Sequence, residues 1–143
     1  MLNHKNKRFG TVYEHKFCAK AISLGLDPHP CPGEYLAHDF LVMNEAGRVY
    51  RTQVKGTSVC AKNSGRPKRS ARYRVTTASG NRVKSSLDCS KVDLLAAYVE
   101  PPDVWYIIPC LQLSGVATYF YPHVENSKAK FEAYREDWNQ FLI

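Results

Sequence analysis

The fold of this chain is decided by residues 38–57, HDFLVMNEAGRVYRTQVKGT. Apolar and polar residues alternate on both sides of a central turn, and many of the apolar ones are β-branched or aromatic, which indicates two strands. The turn has the length of a three-residue hairpin loop, with Gly47 at the position that needs a left-handed backbone. The stretch therefore predicts a β-hairpin in which Asn44 pairs with Arg48.

That pairing fixes the register of the hairpin and places Asp39 opposite Gln53. Because successive side chains of a strand alternate between faces, Asp39, Gln53 and Lys55 are expected to share one face. The other face carries the apolar set Phe40, Val42, Tyr50 and Val54. Polar side chains are also the ordinary solvated side of a half-exposed hairpin, so the triplet alone does not establish a site.

The length and net charge of the chain limit its number of domains and the kind of partner that it binds. The 143 residues predict a single domain spanning 1–143, and a formal charge of +7 favours a polyanionic partner such as nucleic acid. No apolar run is long enough for a membrane span, and the N-terminal residues lack the apolar centre of a signal peptide. We therefore expect an intracellular protein, cytoplasmic or associated with the nucleoid, with neither a membrane partner nor a small-molecule cofactor.

The five cysteines are odd in number and widely spaced, with no CxxC and no Cys/His pair at zinc-ligand spacing. This pattern predicts free buried thiols in a reducing compartment and argues against a zinc site.

Beyond the hairpin, the sequence predicts a helix from Thr11 to Gly25 whose apolar stripe includes Val12, Phe17 and Leu24, followed by a proline-rich loop at 26–34. It then predicts four further strands, of which Lys91–Val99 is buried on both faces, and a closing helix. The fold class is α/β (α+β): a mixed central sheet of about five strands flanked by helices at the two ends of the chain. The remaining predicted elements are strands at Arg72–Thr77, Val104–Pro109 and Thr118–Tyr121, a turn at Gly80–Ser90, and the closing helix from Asn126 or Ser127 to Trp138.

The polar face of the hairpin has the groups that phosphodiester hydrolysis requires. Such hydrolysis uses oxygen ligands that hold a divalent metal and a group that orients or polarises the attacking water. Asp39, Gln53 and Lys55 supply an acid, a second oxygen and an ammonium, and Glu14 lies on the preceding helix. Glu14 in the first turns of a helix is also explained by the helix dipole.

With these residues the chain resembles the PD-(D/E)XK nuclease superfamily over residues 10–138. Within that superfamily it is most similar to the archaeal Holliday-junction resolvases and to a small intron-encoded homing endonuclease. The matching segments are GTVYE ending at Glu14, AHDFLV with Asp39, the element Gln53-Val54-Lys55, the strands KVDLLAAYV and WYIIP, and the closing KAKFEAYREDWNQF.

The resemblance implies a restriction-endonuclease-like core and a DNA endonuclease that uses Mg²⁺, with Mn²⁺ as a substitute. Its catalytic residues would be Glu14, Asp39, Gln53 and Lys55. The metal ligands would be Asp39, Gln53 and the Val54 carbonyl, with Lys55 positioning the water and Glu14 acting through a water or a second metal. It also implies a product with a 5′-phosphate and a homodimer or homotetramer.

Two positions depart from the superfamily pattern. His38 stands where the nominal motif has proline, and Gln53 stands where it has an acid. A glutamine at this point resembles a variant of the homing-type branch. An amide oxygen can ligate Mg²⁺, but the site carries one negative charge less, which weakens metal binding.

The basic run Lys62–Arg74 contains no acid and follows Lys55 closely. Lysines and arginines in such segments suit phosphate contacts, although a solvated loop explains the run as well. The DNA-binding residues we predict are Thr57, Ser58, Lys62, Arg66, Lys68, Arg69 and Arg72.

Two other functions stay open at this point. A catalytically inactive DNA-binding module that retains the nuclease fold would account for Gln53. A basic RNA-binding protein would account for the charge, but the sequence has neither an RNP-like aromatic motif nor a GXXG loop.

Overall fold

The computed structural model describes residues 5–60, 71–79 and 85–143. No helix in these ranges is both long and apolar enough to cross a membrane. The elements in chain order are α1 (Lys5–Ser23), β1 (Asp27–Pro30), β2 (Phe40–Met43), β3 (Val49–Thr57), β4 (Tyr73–Thr76), β5 (Ala78–Ser79), β6 (Ser85–Ser86), β7 (Leu94–Val99), β8 (Val104–Pro109), β9 (Ala117–Phe120) and short 3-10 turns at Cys110–Gln112, Glu132–Tyr134 and Trp138–Leu142.

The main sheet has five strands in the order β1-β2-β3-β7-β8. The β3–β7 pair is parallel and the other pairs are antiparallel, so the predicted mixed five-stranded α+β architecture is confirmed. Every residue of β7 is buried, as its continuous apolar run predicts. The helix α1 packs on one face of the sheet, and a second apolar cluster covers the other face.

The predicted hairpin is confirmed in its register. Val42 pairs with Tyr50 and Phe40 with Thr52, which continues to Asp39 opposite Gln53. The Asn44 N–H donates to the Arg48 carbonyl at 2.9 Å, and Gly47 has φ +84° in the turn. A slip of one residue would turn every side chain of β2 to the other face, so this turn determines which residues point to the site.

The prediction of a loop at 26–34 is partly wrong, because β1 lies within it and pairs with β2. Prolines lack the N–H that a ladder needs, and strands tolerate them only at a sheet edge. Since β1 is the edge strand, Pro28 and Pro30 are compatible with pairing on one side only.

The first helix is longer than predicted and turns a narrower face to the core. It begins at Lys5, and it ends in a Schellman motif in which the Leu26 N–H donates to Ala21 and the Gly25 N–H to Ile22. Val12 and Leu24 are exposed, contrary to the predicted stripe. The buried residues follow a spacing of four, which gives a single line of contact with the sheet: Tyr13, Phe17 and Ala21.

The strand predicted at Arg72–Thr77 forms as β4, but it pairs with β9 in a separate two-stranded ribbon. Tyr73, Val75 and Thr77 are buried on one side of β4, as predicted. The predicted turn at Gly80–Ser90 contains the short strand β6, which pairs with β5, and residues 80–84 lie outside the described ranges.

The predicted closing helix is wrong: residues 126–138 form turns and a 3-10 segment. The Glu136 N–H donates to the Trp105 carbonyl at 2.7 Å, so this part of the chain runs beside β8 instead of coiling on itself. Phe131 packs in the cluster on one face of the sheet, and Trp138 packs against the cluster on the other. One continuous helix would not deliver both aromatic rings to opposite faces.

The prediction that all cysteines are free is also wrong, because Cys89 and Cys110 form a disulfide. It joins the segment before β7 to the residue after β8, so it closes the β7–β8 pair at one end. Cys18 and Cys31 are free thiols.

Replacing Phe17 with alanine should lower the free energy of unfolding by about 3–5 kcal/mol. The Phe17 ring is fully buried and lies against the rings of Phe40 and Trp105. Urea denaturation measures the change. Ile22→Ala on the same helix is the control, since Ile22 is 63% exposed and its loss should stay within about 0.5 kcal/mol. If both variants lost the same free energy of unfolding, the burial of Phe17 between α1 and the sheet would be contradicted.

Candidate active site

A cleft of about 380 Å³ opens where α1 passes the start of β2 and the second half of β3. Glu14 reaches it from the helix, Asp39 from the residue before β2, and Lys55 from β3. The structure therefore brings together three of the four predicted catalytic residues, and the Val54 position also lines the cleft.

Asp39 is held by the hairpin that it precedes. Its N–H donates to the Thr52 carbonyl at 2.9 Å, and its Oδ2 accepts the Val54 N–H at 2.8 Å. The Asp39 carbonyl accepts the Cys31 N–H from the chain that follows β1. Two main-chain hydrogen bonds thus fix the backbone of Asp39, and one from Val54 holds its carboxylate.

Burial raises the pKa of the Asp39 carboxyl above its ordinary value of 3.8, and the Val54 N–H and the Lys55 ammonium oppose that shift. Burial also raises the pKa of the Glu14 carboxyl, and the negative charge of Asp39 raises it further. Lys55 lowers the pKa of Glu14 as well, so the three groups share one electrostatic environment. Two partly desolvated carboxylates facing one cleft favour the binding of a cation.

Gln53 lies on the same strand face as Lys55, two residues before it, and opposite Asp39. Its Oε1 atom is buried and has no hydrogen-bond partner. A buried amide oxygen without a partner costs free energy, which a bound water or a metal ion would offset. A carboxylate, an amide oxygen and a nearby backbone carbonyl are the oxygen donors that Mg²⁺ and Mn²⁺ accept, so these residues fit such an ion.

Within the described ranges, no group of three or more His, Cys, Asp and Glu side chains is placed to hold a metal ion. The set predicted here includes an amide oxygen and a main-chain oxygen, which lie outside those residue types. Among the residues that the structure describes, none that lines this cleft is a His or a Cys, the side chains typical of zinc and copper sites.

The family of the chain is decided by comparison with known proteins. The family model described as PD-(D/E)XK endonuclease matches residues 4–141. This chain belongs to the PD-(D/E)XK endonuclease family. Its fold is similar to that of a bacterial homing endonuclease, I-Ssp6803I, with TM-score 0.76, 22% sequence identity, and coverage of 96% of this chain and 93% of that one. A comparison with curated protein sequences gives no significant match.

For this PD-(D/E)XK family member, sequence reasoning missed two residues that shape the cleft. A Cβ at Gly56 would overlap the ring of Tyr13, so only glycine lets α1 approach β3 beside Lys55. A glycine inside a predicted strand is a signal of such close approach. Glu34 adds a third carboxylate to the cleft wall, and its loop position gave no periodicity by which to find it.

The predicted DNA-binding residues are only partly within the described ranges. Thr57 ends β3 and its hydroxyl donates to the Val59 carbonyl, and Ser58 is exposed beyond it. The Arg72 guanidinium lies 4.8 Å from the centre of the Tyr119 ring, on the ribbon of β4 and β9. The predicted contacts Lys62, Arg66, Lys68 and Arg69 lie outside the described residues.

In the metal-free protein, Asp39→Asn should raise the free energy of unfolding at neutral pH. The pKa of Asp39 is higher in the folded state than in the unfolded state. The stability that Asp39 contributes is therefore fully present below its unfolded-state pKa and is lost as pH rises through its folded-state pKa. The amide stays neutral and avoids that loss. Urea denaturation between pH 4 and pH 8 in EDTA measures it.

Asp88→Asn is the matched control of opposite sign. The Ser90 hydroxyl and N–H lower the pKa of Asp88 in the folded state. The stability that Asp88 contributes is therefore present above its unfolded-state pKa and is lost as pH falls through its folded-state pKa. This variant should lose stability at neutral pH. A loss of stability in Asp39→Asn at neutral pH would contradict the desolvation of Asp39.

Proposed function

We propose that this chain is a divalent-metal-dependent endodeoxyribonuclease, with Mg²⁺ as the ion and Mn²⁺ as a substitute. The observation that carries the proposal is the cleft that collects Glu14, Asp39 and Lys55. Gln53, whose buried Oε1 has no hydrogen-bond partner, lies opposite Asp39 in the hairpin register and outside the residues that line this cleft. Membership of a nuclease family supports phosphodiester hydrolysis as the reaction.

The ligands would be the Asp39 carboxylate, Gln53 Oε1 and the Val54 main-chain carbonyl. When bound, the ion would polarise the phosphate and make a bound water more acidic. The Val54 N–H holds Asp39 Oδ2, which leaves the other carboxylate oxygen and the remaining lone pairs to a ligand.

The other two residues act on the water. Lys55 Nζ would donate hydrogen bonds that orient the attacking water toward phosphorus and would offset negative charge on the phosphate oxygens. The Glu14 carboxylate would accept a hydrogen bond from a second water in the same cleft. Its raised pKa makes it a better proton acceptor than an ordinary exposed glutamate.

Duplex DNA is the substrate class that best suits the charge. The net charge of +7 favours a polyanion, and the structural neighbour is a homing endonuclease. Lys7 lies on the wall of the same cleft, where it would contact a phosphate. Compact nucleases that cut both strands usually pair two active sites, which favours a homodimer or homotetramer, and light scattering would determine which.

The alternative is a DNA-binding module that keeps the fold without catalysis. Gln53 favours it, because an amide brings less negative charge to a metal site than a carboxylate. The two functions differ in one result: the inactive module binds DNA and leaves a plasmid intact at every Mg²⁺ concentration.

Asp39→Ala and Lys55→Ala should each abolish Mg²⁺-dependent plasmid cleavage while DNA binding in EDTA survives. Loss of the group that orients the water should reduce the cleavage rate by about 10²–10⁴-fold. Cleavage is followed by agarose gels and binding by fluorescence anisotropy. Lys20→Ala removes the same charge from the last turn of α1 and should cleave normally. Equal cleavage by all four proteins would overturn the assignment.

Gln53→Glu should lower the Mg²⁺ concentration that gives half-maximal cleavage, because a carboxylate replaces the neutral amide among the ligands. The same change should destabilise the metal-free protein, since it adds a buried charge beside Asp39. Thermal unfolding with and without Mg²⁺ separates the two effects, and Gln53→Leu is the control that removes the oxygen. If Mg²⁺ shifts the melting temperatures of Gln53→Glu and Gln53→Leu by the same amount, Gln53 is not a metal ligand.

A further inference from the structure

The ribbon of β4 and β9 has two different faces. Tyr73, Val75 and Phe120 pack inward on the cluster that covers one face of the main sheet. The residues between them point away from that cluster, and Arg74 and Thr76 are exposed. We call the outward set the outer face of the ribbon: Arg72, Arg74, Thr76, Ala117 and Tyr119.

The outer face is positively charged and includes an aromatic ring. It carries two arginines and no acid, and Arg74 is directly opposite Tyr119 in the β4–β9 register. The Arg72 guanidinium stacks on the same ring, and its buried Nε has no hydrogen-bond partner. The ring thus holds the Arg72 guanidinium at the outer face beside Arg74, and the planar guanidinium of arginine suits bidentate hydrogen bonding.

The ribbon lies next to the candidate active site. Its inner face covers the sheet face toward which Gln53 and Lys55 alternate. Cys60, just beyond β3, forms a bridge with Tyr73, so β4 lies beside the end of the strand that carries Lys55. Because a strand rises about 3.3 Å per residue, this bridge is at most about 17 Å along the chain from Lys55.

We propose that the outer face of the ribbon enters the major groove of duplex DNA and reads base edges beside the cleavage site, with Arg74 as the main specificity residue. The proposal rests on the proposed nuclease function and adds the surface that selects the sequence. A two-stranded antiparallel ribbon fits the major groove, and arginine bonds the O6 and N7 atoms of guanine.

The geometry also limits where the reading occurs. The DNA duplex rises about 3.4 Å per base pair, so a distance of at most about 17 Å corresponds to about five base pairs. Because the Arg74 and Lys55 side chains add to this distance, we expect the bases read by Arg74 within about one duplex turn, about 10 base pairs, of the scissile phosphate, with guanine preferred.

The test uses the full chain and a pool of linear duplexes with a randomised central segment. Cleaved ends are sequenced after reaction with Mg²⁺, and binding to one fixed duplex is measured in EDTA over a salt series. Arg74→Ala should still cleave the pool, but its preference at one or two positions should fall by about ten- to hundredfold. Arg74→Lys should keep the salt dependence of binding and lose the preference, because a lysine retains the charge without the planar fork.

Arg48→Ala is the control, because it removes an arginine that also lies near a tyrosine, Tyr50, but at the hairpin turn and away from the ribbon. It should cleave with the wild-type preference. A uniform loss of affinity in Arg74→Ala, with a salt slope reduced by about one, would identify a phosphate contact and overturn base reading. An unchanged profile in Arg74→Ala would place the ribbon off the DNA.

The outcome also separates this proposal from the proposed function. If the wild-type protein cleaves neither the pool nor a plasmid, the nuclease function fails. The duplexes that it retains from the same pool in EDTA are then sequenced. A guanine preference that depends on Arg74 in that bound fraction would still support the ribbon as the reading surface, and its absence would overturn it.

Discussion

The antiparallel pairing of β2 with β3 positions the candidate site, and Asp39 is part of what holds it. Beyond the last pair of the hairpin, the Asp39 N–H and Oδ2 bond to two residues of β3, Thr52 and Val54. The same carboxylate that would hold a metal therefore also closes the end of the hairpin. Because the side chains of a strand alternate between faces, a slip of one residue in the β2–β3 register would put Asp39 on the opposite face from Gln53 and Lys55.

The site carries an electrostatic cost that the rest of the fold must support. Burial raises the pKa values of Asp39 and Glu14, the charge of Asp39 raises the pKa of Glu14 further, and an amide oxygen is buried without a partner. Such local conflicts are typical of functional sites, where stability is lower than the scaffold alone would allow. The fully buried β7 and the aromatic cluster around Phe17 supply the stability that offsets this conflict.

Sequence reasoning succeeded where the determining contacts are local. The hairpin register follows from one turn, and the face shared by Asp39 and Gln53 follows from that register. It failed where distant partners decide: β1 is a strand only because β2 offers an edge, and the closing segment is not a helix because its aromatic rings go to opposite sheet faces. The disulfide depends on two chain segments that meet only in the folded sheet.

The parallel pairing of β3 with β7 has a consequence for the order of folding. Thr52 pairs with Leu94, so this contact closes a long loop, whereas the β2–β3 hairpin closes over a few residues. Loop-closure entropy makes such long-range pairing slow compared with a hairpin. Asp39, Gln53 and Lys55 belong to the fast local unit, so their relative arrangement is set early. Glu14 joins them only when α1 docks, which makes completion of the cleft a late event in folding.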